Sequence, residues 1–414
     1  MVKFYSFIEG KSYLKKDIPI SFIENGAFSI NKNGTLKLQV CGLANIQGKN
    51  YFFFPKGYND QSSSSQKKET AKLLFHSILK YKNTVTLSED ELDWLGKDSN
   101  DSSYLNLVDW LISDYLSYGF FFESLKSQDV NGKGKINWSK TIKTKLPFVE
   151  KNRFHYLEVL TAKNENNSNN LITQIHKKVV YECLEKYGWL YSIPNSTMHI
   201  ELPLSVEEQV LLLQKRLRDT YAGHDIKLLT SLIQYLQSVK GSIHDYSLVT
   251  PYFYNIWEEM LQHSFQHDPF LQNHVPKPYW VVDSNKMYTR QIPDILVKIE
   301  DGLVILDAKY YSTSTGELSR FPGWESIVKQ LYYSKSLEDK YKNIKNIFVL
   351  PDTIRCNSGF KKIGYTSVEG KESDFGYVFA FGIDIDLVLK NYTRHTYLTN
   401  IFFEIIALAD LKEF

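Results

Sequence analysis

The stretch IPDILVKIEDGLVILDAKYY, residues 292–311, decides the fold, because it combines two aliphatic runs with a turn over residues 300–302. Asp294, Asp307 and Lys309 interrupt these runs, although charged side chains rarely lie in apolar strands unless they are paired or bind a metal. Side chains alternate between the faces of a strand, so Asp307 and Lys309 point the same way. An antiparallel hairpin brings Asp294 beside Asp307. The sequence therefore predicts two carboxylates and a lysine at a common point of a sheet.

These three side chains predict metal-dependent hydrolysis. Mg²⁺ is held by one or two carboxylates, and water and substrate phosphate oxygens complete its shell. Such an ion polarises a phosphate and lowers the pKa of a bound water. Lys309 is placed to position or deprotonate that water and to offset developing negative charge. The competing interpretation is that Asp294 only ends a strand, and that Asp307 and Lys309 form an ordinary exposed face.

Apolar spacing predicts a helix on each side of the hairpin, at residues 252–265 and 324–341. In the first helix Glu258 and Glu259 lie beside the apolar stripe, and either can reach a metal, with Glu258 preferred. In the second helix Gln330 stands next to the stripe, where it would hold a water or the lysine. The alternatives are a solvated helix face for the glutamates and a surface or packing role for the glutamine.

The pattern along the chain changes at residue 251. From there it predicts an α/β unit with the two helices above and strands near residues 280–282, 292–299, 303–311 and 347–350. The earlier part begins with alternating, β-rich sequence. It predicts a hairpin within residues 41–58 and helices at residues 70–81, 104–125, 171–187 and 207–239.

A lysine-rich segment at residues 126–145 interrupts the earlier part. Its two glycines predict a loop whose backbone can approach a phosphate. Basic residues interleaved with an aromatic side chain are what binding to a nucleic-acid backbone requires. The alternative is a solvated, lysine-rich loop. The candidate DNA-binding residues are Lys133, Lys135, Trp138, Lys140 and Lys143.

Length and composition predict a globular protein of two domains, since 414 residues exceed what one core usually supports and 43% are hydrophobic. The 49 Lys and Arg nearly cancel the 47 Asp and Glu, so net charge does not indicate a partner. Three cysteines without a CxxC pair exclude a thiolate zinc site and a disulfide framework. Without a signal-peptide h-region or an apolar run of about 18 residues, the expected location is cytoplasmic, with no membrane partner.

The order of these motifs is similar to that of the PD-(D/E)xK nuclease superfamily: a helix with glutamates, PD at residues 293–294, DAK at residues 307–309, and a helix with KQLYY. Within that superfamily RQIPDILV…LVILDAKYY and VKQLYYSKSL look like the McrC-type and LlaJI-type restriction subunits. FFFPKGY at residues 52–58 and GKINWSKTI at residues 134–142 also resemble the LlaJI restriction endonuclease family. The likeness therefore spans most of the chain.

The resemblance implies an α/β catalytic domain at residues 250–414, with a central mixed sheet flanked by helices. It implies a mixed α+β region at residues 1–249 that recognises DNA or binds a partner. Carried over residue by residue, it implies metal binding at Asp294, Asp307 and Glu258, a catalytic Lys309 and a helper role for Gln330.

The implied activity is that of a type II-like restriction endonuclease that cuts double-stranded DNA with Mg²⁺, with a cognate DNA methyltransferase as functional partner. The alternative is a McrC-like nuclease subunit that cuts only when docked on a separate AAA+ motor. The sequence has no G-x-x-x-x-G-K-[ST] motif, so any such motor is another chain. A homodimer that pairs two active sites across the DNA strands is a further candidate assembly.

Overall fold

The computed structural model describes the chain over residues 4–46, 49–95, 100–151, 153–167, 170–193, 198–238, 246–289, 292–300, 302–312, 320–354 and 358–409. The strands are β1 Phe4–Ile8, β2 Ser12–Tyr13, β3 Phe28–Ile30, β4 Leu36–Leu38, β5 Cys41–Ile46, β6 Lys49–Phe54, β7 Glu123–Val130, β8 Lys135–Ile136, β9 Phe148–Glu150, β10 Arg153–His155, β11 Leu160–Asn167, β12 Tyr246–Thr250, β13 Tyr279–Val282, β14 Asn285–Tyr288, β15 Ile295–Ile299, β16 Gly302–Ala308, β17 Asn343–Asp352, β18 Phe360–Thr366 and β19 Val378–Asp384. The helices are α1 Ile20–Glu24, α2 Ser64–Thr84, α3 Glu89–Leu95, α4 Asn100–Tyr118, α5 Trp138–Thr144, α6 Leu171–Tyr187, α7 Val206–Arg218, α8 Gly223–Ser238, α9 Phe253–Ser264, α10 Trp324–Leu337, α11 Glu372–Phe375, α12 Ile385–Arg394 and α13 Thr399–Leu408. Short 3-10 helices lie at Lys15–Asp17, Gly188–Tyr191 and Pro269–His274.

The opening stretch forms the hairpin that its sequence predicts, with β15 antiparallel to β16 and Ile295 opposite Leu306. Asp301 of the predicted turn lies outside the described residues. The hairpin lies at one edge of a five-stranded sheet with the order β15-β16-β17-β19-β18. In it β16, β17 and β19 are parallel, whereas β18 is antiparallel to β19. The predicted mixed α/β architecture with a central mixed sheet is confirmed.

The two helices predicted beside the hairpin are confirmed as α9 and α10. Helix α10 buries Tyr333 and Leu337 against Leu296, Leu303 and Ile305 of the hairpin, which covers one face of the sheet. The predicted strand at residues 347–350 is the middle of β17. The strand predicted near residues 280–282 is confirmed as β13, which pairs with β14 in a two-stranded ribbon separate from the five-stranded sheet.

The chain forms two units, and the first combines both ends of the sequence: Met1–Ser102 with Ile243–Phe414, whereas Ser103–Ser242 forms the second. In the first unit β5 and β6 form the predicted N-terminal hairpin, and the four-stranded sheet β1-β6-β5-β12 joins it to the strand before α9. Gly42 allows this pairing, because a Cβ there would lie 2.0 Å from the carbonyl oxygen of Leu248. The units therefore differ from the predicted division at residues 249 and 250, and the roles predicted for those two parts stay predictions.

In the second unit the helix at residues 171–187 is confirmed as α6, but three other expectations were wrong. The helix predicted at residues 104–125 ends at Tyr118, where Gly119 takes a φ of +75°, and β7 follows. The run 207–239 is divided into α7 and α8. The lysine-rich segment contains β8 and α5, and the side chain of Asn137 caps α5 by accepting from the Lys140 backbone N–H.

Among the helices that the structure describes, none combines the length and the apolarity that crossing a membrane takes. Cys41 and Cys183 are buried free thiols, and Cys356 lies outside the described residues.

Candidate active site

Strand β16 presents the first two members of the site. Asp307, near its end, is only 1% exposed, and Lys309 follows the strand. As the alternation predicts, the two side chains meet, with Lys309 Nζ 2.6 Å from Asp307 Oδ2. The backbone N–H of Lys309 donates to the carbonyl oxygen of Val349 at 2.9 Å, so β17 holds this end of the strand.

Asp294 lies beside them, one residue before β15. Its Oδ2 accepts a 2.9 Å hydrogen bond from the backbone N–H of Ala308, the residue between Asp307 and Lys309. Burial, followed by the charges of Asp307 and Glu258, raises the pKa of Asp294 from 3.8 to about 7. The three predicted residues of the opening stretch therefore share one place, as the hairpin register requires.

The two adjacent glutamates of α9 have different charged neighbours in the structure. Burial raises the pKa of Glu258, and the nearby charge of Asp307 raises it further. Gln262, one turn later, donates to Glu258 Oε1 at 3.1 Å and to the backbone oxygen of Asp294 at 3.0 Å. Glu259 has a raised pKa through burial, which the charge of Lys80 opposes, so it faces a different neighbour. Glu258 is thus the glutamate on the side of the aspartates.

Lys329 is a member of the site that the sequence did not single out. Its Nζ lies 3.7 Å from Asp307 Oδ1 and 4.0 Å from Asp294 Oδ1, so its ammonium stands between the two carboxylates. The signal was present, because Lys329 precedes Gln330 in the quoted KQLYY motif. Gln330 itself is fully buried and donates through Nε2 to the carbonyl oxygen of Ile305 at 2.9 Å. Gln330 therefore attaches α10 to β16, as its packing alternative describes.

A cavity of about 440 Å³ adjoins the site. It is lined by Glu258, Gln262, Gln272, Ile292, Pro293, Asp294, Lys329 and Tyr333. A larger cavity of about 800 Å³ is lined by residues of the N-terminal sheet and α1, and none of the site carboxylates belongs to its lining. The smaller cavity gives a ligand access to Asp294 and Glu258.

The carboxylates fit a divalent cation. In the described part of the chain no group of three or more His, Cys, Asp or Glu side chains is close enough to hold a metal alone. Mg²⁺ does not require one, because it is commonly held by one or two carboxylates and water. Burial, followed by the charges of Asp307 and Glu258, raises the pKa of Asp294, and Lys329 opposes this only in part, so the negative charge at the site is not fully compensated. A bound cation would supply that compensation.

The lysine-rich segment forms a strand and a helix rather than the predicted loop. Lys133, Lys135, Lys140 and Lys143 are exposed, and the Trp138 side chain is 51% exposed at the start of α5. Lys140 Nζ contacts Gln128 Oε1 in the neighbouring strand. The side chain of Lys126, also in the segment, lies outside what is described.

The two glycines of this segment have a packing role that the sequence did not indicate. A Cβ on Gly134 would lie 2.5 Å from the carbonyl oxygen of Ala162, and one on Gly132 would lie 2.6 Å from the Cβ of Asp129. Both positions thus serve close packing within the second unit.

Comparison with known proteins gives a family model and a relative of similar length. Residues 40–386 match the family model of the LlaJI restriction endonuclease. A protein of Bacillus subtilis (strain 168), named "Type II restriction enzyme BsuMI component YdjA", is 26% identical over 407 residues, which cover 91% of this chain and 85% of the relative.

Two solved structures are similar to a lesser degree. One is a half-complex of Thermococcus gammatolerans McrB AAA+ hexamers with bound McrC, at 15% identity and a TM-score of 0.38, covering 96% of this chain and 100% of that one. The other is the McrBC complex of the same organism, at 13% identity and a TM-score of 0.25, covering 57% and 80%. At these TM-scores neither likeness defines the fold.

Proposed function

The chain belongs to the LlaJI restriction endonuclease family, and from this premise we propose that it hydrolyses phosphodiester bonds of double-stranded DNA at the site formed by Asp294, Asp307 and Lys309. One observation carries the proposal: the buried Asp307, the half-buried Asp294 and a lysine meet at the end of β16, with Lys309 Nζ 2.6 Å from Asp307. We further propose that the five-stranded sheet is the core of a PD-(D/E)xK nuclease domain, that Mg²⁺ is its cofactor, and that the enzyme works in the cytoplasm, where its DNA substrate would be.

In this proposal Asp294 and Asp307 would hold Mg²⁺, and Glu258, which lines the same cavity as Asp294, would contribute directly or through water. Mg²⁺ held by these carboxylates would polarise the scissile phosphate and would lower the pKa of a bound water. Lys309, fixed by Asp307, directs its ammonium to the attacking water or a phosphate oxygen. Lys329 adds a second positive charge for the phosphate.

A second mode is cleavage in a complex, and one observation favours it: the Bacillus relative is named a component of a restriction enzyme. In this mode the chain is a McrC-like nuclease subunit, and a separate AAA+ motor supplies translocation. In either mode a cognate DNA methyltransferase protects the host's own sites. Autonomous cutting, by a monomer or by a homodimer that pairs two active sites, remains our first proposal.

Plasmid cleavage tests the proposal. The purified chain is incubated with Mg²⁺ and unmethylated or methylated plasmids, with and without a candidate motor and GTP or ATP. We expect discrete fragments that disappear in Asp307→Ala, while DNA affinity stays nearly unchanged because phosphate contacts elsewhere carry it.

The matched control is Asp60→Ala, which removes an exposed aspartate paired with Lys11 and should cut like the wild type. Cleavage without a nucleotide would rule out an obligatory motor, whereas cleavage only with the motor would support the second mode. An active Asp307→Ala enzyme would contradict the site.

A further inference from the structure

Tyr310, the residue after Lys309, is held by side chains of the N-terminal sheet. It is 8% exposed, and its hydroxyl donates a 2.6 Å hydrogen bond to Glu9 Oε2 across 301 residues of sequence. Glu9 follows β1 and is itself 8% exposed. Cys41, the first residue of β5 and fully buried, donates its thiol to the same Glu9 oxygen at 2.8 Å. The buried carboxylate of Glu9 thus accepts hydrogen bonds from both Tyr310 and Cys41.

Lys56, which follows β6, contacts Tyr310 in three further ways. Its backbone N–H donates to the Tyr310 hydroxyl oxygen at 3.0 Å, and its Nζ donates to the Tyr310 backbone oxygen at 3.3 Å. The same Nζ lies 4.6 Å from the centre of the Tyr310 ring and 3.4 Å from Glu9 Oε1. The hydroxyl, the ring and the main chain of Tyr310 are therefore all fixed by one cation and one carboxylate.

The Tyr310 ring also lies close to helix α9. The ring centre lies 5.6 Å from that of Phe253 and 6.5 Å from that of Trp257. Trp257 immediately precedes Glu258 in the sequence. Tyr310 thus directly follows Asp307 and Lys309 in the chain, and its ring packs near the helix that carries Glu258.

We propose that Glu9 and Lys56 are positioning residues of the nuclease site, which hold Tyr310 and thereby fix Lys309 and Glu258 relative to the two aspartates. The inference rests on the proposed function. Its physical reason is that misplacing a catalytic group by about 1 Å costs on the order of 10²-fold in rate. The N-terminal sheet is then part of the catalytic machinery and not only of a recognition region.

A series of variants tests this positioning role in the full chain. Tyr310→Phe removes only the hydroxyl, Glu9→Leu removes the acceptor, and Glu9→Gln retains an acceptor oxygen. For Tyr310→Phe and Glu9→Leu we expect the single-turnover rate constant of cleavage to fall about 10- to 100-fold. DNA affinity measured with Ca²⁺ should stay within about twofold, and Glu9→Gln should restore most of the rate. The double variant should be about as slow as the slower of the two single variants, because the hydrogen bond between Tyr310 and Glu9 can be lost only once.

Tyr235→Phe is the matched control. It removes a fully buried tyrosine hydroxyl that donates to Glu182 Oε2 at 3.2 Å in the second unit, so the chemical change is the same and the affected carboxylate is not Glu9. It should cut within about threefold of the wild type.

Hydrogen exchange supplies a readout that does not need activity. In Tyr310→Phe and Glu9→Leu the amides of residues 307–311 should exchange faster, whereas those of α12 should not change. If the Tyr310→Phe variant cleaves DNA at the wild-type rate and its amides exchange as in the wild type, the positioning role is overturned and the proposed function stands. A wild-type chain that cuts no DNA in any assembly would sink the proposed function, and exchange would then decide alone whether Glu9 holds this strand.

Discussion

At the scale of single residues, the two lysines of the site differ in how closely they approach the aspartates. Lys309 pairs closely with one aspartate, whereas Lys329 stands at 3.7 and 4.0 Å between two. The short pair fixes a group in place, and the longer contacts mainly supply charge. The two lysines are therefore distinguishable by substitution.

Lys309→Met keeps the aliphatic stem and removes the ammonium. We expect the cleavage rate to fall by about 10²-fold or more while DNA affinity is preserved, because the lost group acts on the reacting water or phosphate. Lys329→Met should lose about tenfold, since it removes charge alone. Single-turnover kinetics compare the two, and a Lys309→Met enzyme within a few-fold of wild type would reduce this lysine to a structural role.

The raised pKa of Asp294 predicts that cation binding releases a proton. A carboxyl group whose pKa is about 7 is mostly protonated below that pH, and it must lose its proton to bind a cation. Binding of Mg²⁺ should therefore weaken as the pH falls through about 7. It should release nearly one proton at about pH 6 and almost none at about pH 8.5.

Titration calorimetry in buffers of different ionisation enthalpy measures this release. Asp294→Asn has no such proton and should remove most of the pH dependence, apart from any share that Glu258 contributes. Equal proton release by the wild type and Asp294→Asn would contradict the assignment.

A buried histidine gives the second unit an acid sensitivity. His176 in α6 is fully buried, and its Nδ1 accepts a 3.1 Å hydrogen bond from the backbone N–H of Phe121, which only the neutral ring can do. Burial, with a smaller contribution from His224, lowers the pKa of His176 from 6.5 to about 4.

Stability should therefore fall as the pH is lowered from about 6.5 to about 4, because the unfolded chain takes up a proton that the folded chain refuses. It should be unaffected by this group above pH 6.5 and level below pH 4, with a total loss on the order of 3 kcal/mol. Urea unfolding across this pH range measures it. His176→Gln should flatten the dependence, whereas His155→Gln, at an exposed position of β10, should not.

At the scale of elements, the sequence predicted what depends on local periodicity. The hairpin β15–β16, the helices α9 and α10, and strand β17 all follow from alternation or from a 3.6-residue repeat. Local pattern also brought the two aspartates and Lys309 together, because a hairpin register fixes cross-strand neighbours.

Pairings between distant segments were not predictable in this way. The pairing of β5 with β12 and the hydrogen bond of Tyr310 to Glu9 join residues about 200 and 301 positions apart, and no local repeat records them. The tight packing of Gly132 and Gly134 was not predictable either, since a sequence does not tell a phosphate approach from a close strand contact. Lys329 was missed because a lysine beside an apolar helix stripe is typical of any solvated face.

The lysine-rich element carries a prediction of its own. If Lys133, Lys135 and Lys140 contact DNA phosphates, their joint replacement by Gln should weaken binding to all sequences alike. The dependence of log K on log salt should then flatten by roughly one unit for each lost contact.

Binding measured over a range of salt concentrations tests it. The control replaces three exposed lysines of the first unit, Lys32, Lys37 and Lys371, and should leave the slope unchanged. If the slope of log K against log salt is also unchanged in the variant of Lys133, Lys135 and Lys140, the lysine-rich segment is part of the solvated surface.

At the scale of the whole molecule, the first unit is built from two distant parts of the chain, with the second unit inserted between α3 and β12. Bringing β5 and β12 together closes a long loop, and the entropy of that closure grows only slowly with loop length. Such an insertion is therefore compatible with a stable first unit, although long-range pairing slows folding.

The contact between Glu9 and Tyr310 also sets an order in time. Glu9 leaves the ribosome 301 residues before its partner, which at about 5–20 residues per second is a delay of roughly 15–60 s. During that interval β1, β5 and β6 can be present, but the strand that ends in the DAK motif does not yet exist. A nascent chain that ends before Asp307 therefore lacks the proposed nuclease site, and under that proposal a cell that makes the protein is exposed to DNA cleavage only by chains that extend beyond the DAK motif.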